Sequence, residues 1–343
     1  MKTPAAQQAG AVDITIKRKI GDRDLDDIVI KNGFTYTDKP VIGKPIRIEG
    51  ENRYDTNLKV VQRTHAAGKP IFVATGASFP DALSIGPAVA QLDGSLLLVS
   101  KRGVDPAALS YVKANVPSKF YIVGGTSAVS KSIEKTLKGI APVERVAGAD
   151  RYTTAAKVLD TFFAGKKPSH AFVATGTNFP DALTASAAGG ALQAPVVLVN
   201  GPRGKTFPGA LSKSMKAAGI TDVYIVGGPS AVNRNIETSL KSQGFGVNRR
   251  AGDGRYQTNL KVNALLDGKG VGIEGVWVAT GRNFPDALSA AAPAGKMSQR
   301  LALSNGTCLE PQIVDGWTAN AQVTLIGGVN VLKPSVQNLT PCK

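Results

Sequence analysis

Asp81, Asp181 and Asp286 hold one place in a peptide that the chain writes three times, Ala-Thr-Gly-x-x-Phe-Pro-Asp-Ala-Leu, at 74–83, 174–183 and 279–288. Arg53, Arg151 and Arg255 recur with them, each inside Gly-x-x-Arg-Tyr-x-Thr. A carboxylate and a guanidinium that travel together can pair, either within one copy or across the seam between two copies. General acid–base chemistry asks for more, since a second acid or base must stand beside the first. No second acid or base recurs near the aspartate. The expectation is therefore an inter-repeat or structural role for Asp81, Asp181 and Asp286, with ligand contact as the alternative for the pair. Tyr54, Tyr152 and Tyr256 read as core or seam residues rather than as platforms for stacking a sugar.

The elements that position these residues follow from the pattern around them. Ile71 to Ala74, Ala171 to Ala174 and Val276 to Ala279 are apolar runs too short for a helix, and each stops at Thr-Gly, as a buried strand does. The Pro-Asp-Ala-Leu step opens a helix, with proline tolerated in the first turn and an acid there complementing the helix dipole. Further strands are predicted at Leu96 to Val99 and Val196 to Val199, with a weaker counterpart at Leu301 to Leu303. Others fall at Phe120 to Val123, Val223 to Val226 and Val323 to Ile326, each closing on Gly-Gly. Arg53 to Gln62 has helical spacing behind Asn52, an N-cap residue, and the equivalent caps are Asp150 and Gly254. Strands alternating with helices predict an α/β unit with a small parallel sheet.

The copies repeat every 100 residues or so, long enough for each to fold around its own core. The predicted units are 46–143, 144–247 and 248–343, after an N-terminal extension, 1–45. Within that extension Val12 to Ile16 and Ile28 to Ile30 bracket the charged stretch Arg18 to Asp27, a pattern of two strands around a polar turn.

Both glycine-bearing steps fall at the carboxyl ends of strands, where open α/β sheets bind ligands. At Gly124-Gly125-Thr126-Ser127 and Gly227-Gly228-Pro229-Ser230 the backbone N–H groups can receive an anionic oxygen, or the glycines can simply make a tight turn. There is no Gly-x-Ser-x-Gly elbow, no phosphate-binding Gly-x-x-x-x-Gly-Lys-Ser/Thr loop and no dinucleotide fingerprint. Two histidines at non-equivalent places and two cysteines, Cys308 and Cys342, give no recurring metal ligands, so no metal and no cofactor is expected. The cysteines fit either one disulfide in an exported protein or two free thiols. No run approaches the length of a membrane span, and Met1 to Gln8 lacks the apolar core of a signal peptide.

Forty-one basic residues against 25 acidic give a formal charge of +16, a field that favours polyanionic partners. Nucleic acid is disfavoured by few aromatics and the lack of a continuous basic stripe. Three near-equal copies suit multivalent holding of a repetitive polymer better than turnover.

Taken together, Arg-x-x-Gly-x-x-Arg-Tyr-x-Thr at 47–56, 145–154 and 249–258, the Phe-Pro-Asp-Ala-Leu step and Val-Gly-Gly-x-x-Ala-Val resemble the type 2 cell-wall-binding repeat of Gram-positive surface proteins. The resemblance covers about 46–343. It implies three tandem Rossmann-like or Toprim-like units packed as a pseudo-threefold trimer within a monomer, and a secreted surface or S-layer protein anchored non-covalently to an anionic wall polymer such as a teichoic acid. It carries polymer contact onto Leu96, Leu97 and Leu98 and onto Val196, Val197 and Leu198. Arg53, Arg151, Arg255, Ser127 and Ser230 are the polar candidates beside them. The third copy departs from this pattern, with Arg300-Leu301-Ala302-Leu303 in the strand and Val329-Asn330-Val331 after its glycines. The alternatives are a hydrolase or transferase that modifies the wall polymer through the repeated aspartate, and a nucleic-acid binder.

Overall fold

The structure, a computed structural model, describes residues 10–20, 23–36, 44–317 and 321–343, the stretch 10–36 by its backbone alone. Gly10–Ile20 (β1) and Arg23–Tyr36 (β2) form an antiparallel pair, with Val12 opposite Phe34 and Ile16 opposite Ile28. The polar turn expected within Arg18 to Asp27 includes 21–22, which lie outside the described residues. Residues 1–43 and 44–343 are separate compact units.

Within 44–343 the first repeat runs Ile46–Ile48 (β3), Arg53–Thr64 (α1), Ile71–Thr75 (β4), a 3-10 turn at Pro80–Ser84, Gly86–Gln91 (α2), Ser95–Val99 (β5), Pro106–Ala114 (α3), Phe120–Val123 (β6) and Lys131–Lys138 (α4). The second follows the same order with Val143–Val146 (β7), Arg151–Phe163 (α5), His170–Thr175 (β8), Pro180–Ala191 (α6), Val196–Val199 (β9), Gly209–Ala217 (α7), Asp222–Val226 (β10) and Arg234–Ser242 (α8). The third has Gly246–Arg250 (β11), Arg255–Gly268 (α9), Gly275–Thr280 (β12), Pro285–Lys296 (α10), Arg300–Ser304 (β13), Gln322–Ile326 (β14) and Pro334–Gln337 (α11). No helix among the described residues is long and apolar enough to cross a membrane.

These strands make three parallel sheets of four, in the orders β5-β4-β6-β7, β9-β8-β10-β11 and β13-β12-β14-β3. The α/β architecture expected from the alternation of apolar runs and helical stretches is the one present. The strand that opens a repeat pairs with the sheet of the repeat before it: β7 joins β6 and β11 joins β10. Strand β3, from the start of the chain, closes the last sheet by pairing with β14, Thr324 opposite Ile46 and Ile326 opposite Ile48.

An arginine on each opening strand fastens it. Arg145 Nη1 donates to the Gly124 carbonyl at 2.8 Å while its Nε and Nη2 grip Glu134. Arg249 does the same with Gly227 at 2.7 Å and Glu237. Arg47 reaches the Gly327 carbonyl at 2.6 Å, with Gln337 in place of the glutamate.

Helices α2, α6 and α10 pack on one another. Their alanine- and glycine-rich sequences permit it: a Cβ on Gly190 of α6 would lie 2.7 Å from the Gly295 Cα of α10. Behind them Asn57 solves a backbone problem at the edge of the first sheet. Its Oδ1 accepts from Leu98 N at 2.8 Å, and its Nδ2 donates to Leu96 O at 3.0 Å and to Ser289 Oγ, on the third repeat, at 3.1 Å. Asn259 repeats this with Leu303 N, Leu301 O and Thr184 of the second repeat. The second repeat has Ala155 at this position, and Ser84, which corresponds to Ser289 and Thr184, has a buried hydroxyl with no partner among the described residues.

The third repeat has a thinner outer layer. Helix α11 has 4 residues where α4 has 8 and α8 has 9, and a π-helical turn, Ile313–Trp317, stands where the other repeats have α3 and α7. Cys308 and Cys342, which the sequence left open between thiols and a disulfide, are joined across a separation of 34 residues. The loop they close contains β14, the strand that receives β3.

Asn57→Ala leaves Leu96 O and Leu98 N buried without partners, so it should cost roughly 1–3 kcal/mol in denaturant unfolding; an unchanged midpoint would refute the strand-clamp role. Replacing both cysteines by serine should cost about 2–4 kcal/mol, the range for a loop of this length. A double variant as stable as the parent in calorimetry would show that the third repeat holds its outer layer without the bond.

Candidate functional site

The repeated motifs converge at the seams. The first glycine of each Gly-Gly step takes a positive φ of 113°, 108° or 114° at Gly124, Gly227 and Gly327. A Cβ at Gly124 would lie 2.6 Å from Asp81 Oδ2, and one at Gly227 or Gly327 would collide likewise with Asp181 or Asp286. Glycine is therefore required twice over, by conformation and by the carboxylate packed against it. Each aspartate lies in the first turn after Phe-Pro, in the 3-10 turn of the first repeat and at the head of α6 and α10.

Across the seam stands the arginine of the next repeat: Arg151 acts on Asp81, Arg255 on Asp181, and Arg53 on Asp286. The arginines do not close ion pairs with these acids among the described residues. Each instead spends Nη1 on the Thr-Gly carbonyl of its own repeat, Arg53 on Gly76 at 2.8 Å, Arg151 on Gly176 and Arg255 on Gly281 at 2.6 Å. Tyr54, Tyr152 and Tyr256 pack on those same three glycines, where a Cβ would approach the ring to within 2.6–2.8 Å. Arg53 also lies over Phe284 at 5.5 Å and Arg255 over Phe179 at 5.8 Å. Phe79, Phe179 and Phe284 contact one another with ring centroids 5.5–6.2 Å apart.

Burial raises all three carboxyls, and the facing arginine opposes this. Asp181 and Asp286 are pushed up to about 6. Asp81 is raised as well, with the Thr154 hydroxyl and then Arg151 pulling it back.

Two seams open into cavities of the same construction. The one between the first and second repeats, about 330 Å³, is lined by Ser78, Asp81, Lys101, Gly125, Ser127, Asp150 and Arg151, among others. The one between the third and first, about 260 Å³, is lined by Glu51, Arg53, Asn283, Asp286, Gly328 and Asn330, among others. Ser127 and Ser230 are exposed on the equivalent turns of their repeats. The structure thus gathers Arg151, Ser127 and Asp81 in one seam and Arg53 and Asp286 in another. Leu96, Leu97, Leu98, Val196, Val197 and Leu198 are placed elsewhere, each at most 4% exposed within the core. The sequence reading passed over Lys101 and Asn57, which occur in one or two copies only. It quoted Arg47, Arg145 and Arg249 as motif positions without giving them a task. No cluster of three or more His, Cys, Asp or Glu that could hold a metal occurs among the described residues.

Comparison with known proteins settles what kind of molecule carries these seams. The model of cell wall binding domain 2 (CWB2) matches three tandem stretches, 47–134, 145–237 and 249–337. The chain belongs to this family. It is a cell-wall-binding protein of tandem repeats, associated with the wall or cell surface. The N-acetylmuramoyl-L-alanine amidase LytC of Bacillus subtilis (strain 168) is 27% identical over 262 residues, 76% of this chain and 50% of the relative. The amidase enhancer of the same organism is 27% identical over 257 residues, 73% of this chain and 34% of the relative. The chain thus spans half or less of these relatives. Among solved structures, Cwp8 from Clostridium difficile superposes with a TM-score of 0.75 at 27% identity, over 86% of this chain and 51% of that one. Cwp6 from Clostridium difficile gives 0.74 at 18% identity, over 98% and 58%.

Because the folded carboxyls of Asp181 and Asp286 titrate near 6 and an unfolded aspartate near 3.8, the folded state binds extra protons between those values. Their contribution to stability is therefore full in acid and is lost as pH rises through about 6. Asp181→Asn with Asp286→Asn should remove about 1 kcal/mol per site from the gain in stability between pH 7 and pH 5. Equal pH dependence of urea unfolding in the parent and the double variant would show that these carboxyls titrate normally.

Proposed function

We propose that this chain anchors to the wall by multivalent, charge-assisted binding of an anionic wall polymer, of the teichoic-acid or anionic-polysaccharide class, as a secreted monomer whose three repeats form a pseudo-threefold ring. The observation that carries the reading is the recurrence of one seam design, with an arginine that closes no ion pair among the described residues beside a glycine turn. The formal charge of +16 gives the chain a long-range attraction to such a polymer. The cyclic order of the Asp–Arg relations and the return of β3 to β14 support the ring. The disulfide supports export, since such bonds persist in oxidising compartments. Polymer contact falls to Arg53, Arg151, Arg255, Ser127 and Ser230, because the side chains of β5 and β9 are taken up by the core. Domain limits of 46–143, 144–247 and 248–343 follow the repeat in the chain to within a few residues, with β7 and β11 straddling them, while each sheet borrows its last strand from a neighbouring unit.

Binding to purified sacculi should weaken at least about tenfold between low and high salt, because counterions released from the polyanion oppose binding as salt rises. Sacculi stripped of their anionic polymer should retain little protein. Retention that survives both high salt and stripping would overturn the electrostatic reading.

A further inference from the structure

The three seams share a plan but differ at the atoms an anion would meet. In the first repeat the turn after β6 leaves the N–H groups of Gly125, Thr126 and Ser127 without acceptors among the described residues, whereas Gly124 N is taken by Val146 O. Consecutive free N–H groups of this kind form an anion-binding concavity. Ser78 and Ser127 line the same cavity, and their hydroxyls make no hydrogen bond among the described residues. The neighbouring helix start is already closed, since Asp150 accepts from both Tyr152 N and Thr153 N. An anion here is therefore held by the turn and by side-chain cations, not by the head of α5.

Lys101 supplies a cation at a place that is glycine in the other two repeats. Strand register equates Val99 with Val199 and Ser304, through their partners Thr75, Thr175 and Thr280. Two residues later stand Lys101, Gly201 and Gly306. A Cβ on Gly306 would lie 2.7 Å from Val331 O, and one on Gly201 would run into Ala231 O, so neither place admits a side chain. Lys101 is exposed at the cavity and enters no ion pair among the described residues.

The other two turns are less receptive. Between the second and third repeats Pro229 stands where Thr126 offers an N–H. Between the third and first, Glu49 occupies the place of Ala147 and Ala251, and its Oε2 lies 3.0 Å from where a Gly328 Cβ would be. That carboxylate sits against the turn, and among the residues lining the cavity Glu51 and Asp286 outnumber Arg53, while Lys59 Nζ donates to the Glu49 carbonyl.

We infer that the seam between the first and second repeats is the anion subsite of the chain, where Lys101, the Gly125–Ser127 turn and Arg151 receive a phosphate or carboxylate group of the polymer. This rests on the anionic-polymer reading above and narrows it to one seam and one specificity-determining lysine.

The test uses the full chain and two probes. In binding to polymer-bearing sacculi, Lys101→Ala should weaken affinity at least about fivefold, Lys101→Arg should restore most of it, and Lys213→Ala, an exposed lysine on α7, should change it less than twofold. In a titration of isotope-labelled protein with inorganic phosphate, the amide signals of Gly125 and Ser127 should move, those of Gly328 and Asn330 should stay, and Lys101→Ala should suppress the movement. Equal shifts at both turns, or Lys101→Ala binding like the parent, overturns the inference. If the parent itself ignores the anionic polymer, the broader reading fails instead.

Discussion

The constraint on which this structure depends is that no repeat finishes its own sheet. A parallel strand left at an open edge exposes a row of unpaired N–H and C=O groups, and here the cover for that edge is covalently part of the next repeat. The seam is thus a continuation of the hydrogen-bond ladder, with β7 on β6 and β11 on β10. A linear array built this way leaves its last sheet without that covering strand. The chain supplies it with β3, so Ile46–Ile48 and Gln322–Ile326 are held in one sheet.

The glycine turns follow from that constraint. Each borrowed strand carries an arginine that must find an acceptor at the seam, and the carbonyl of the first turn glycine is the acceptor used in all three cases. The other side of the same glycine faces the aspartate that begins the central helix. One backbone position is thus clamped between a cation of the following repeat and an acid of its own. The arginine facing the acid donates instead to the Thr-Gly carbonyl of its own repeat. Burial then outweighs the distant positive charge, and the carboxyls rise instead of falling as salt-bridged carboxyls do.

Much of this was legible in the chain. The apolar runs ending at Thr-Gly and Gly-Gly gave the inner strands, and Asn52 and Asp150 cap their helices as their residue types require. Recurrence of Asp with Arg announced a relation between them. It did not announce that the partners belong to different repeats, because a motif repeated with fixed spacing looks the same whether it meets itself or its neighbour. Strand exchange was hidden for a related reason: Val143–Val146 carries charged residues and is only partly buried, so it has little of the apolar signature that marks a central strand. The Leu96 to Leu98 run was read as a strand and, through the resemblance, as polymer contact, and its side chains are in the core. The clamp by Asn57 was not legible at all, since a buried polar residue on a helix reveals its acceptor only when the facing strand is known.

Repetition and divergence act at different ranges. A net charge of +16 draws any polyanion from beyond the seams, but that field falls off within a Debye length of about 8–10 Å, and it cannot choose among three junctions built to one plan. Choice has to come from atoms within hydrogen-bond reach, and there the copies have drifted apart: Lys101 against Gly201 and Gly306, Thr126 against Pro229, Ala147 against Glu49. None of these positions belongs to the sheets or to the Asp–Arg–glycine junction. Lys101, Thr126 and Ala147 can therefore change without disturbing the borrowed strands, and this is where a scaffold bound by its own strand exchange remains free to acquire a preference.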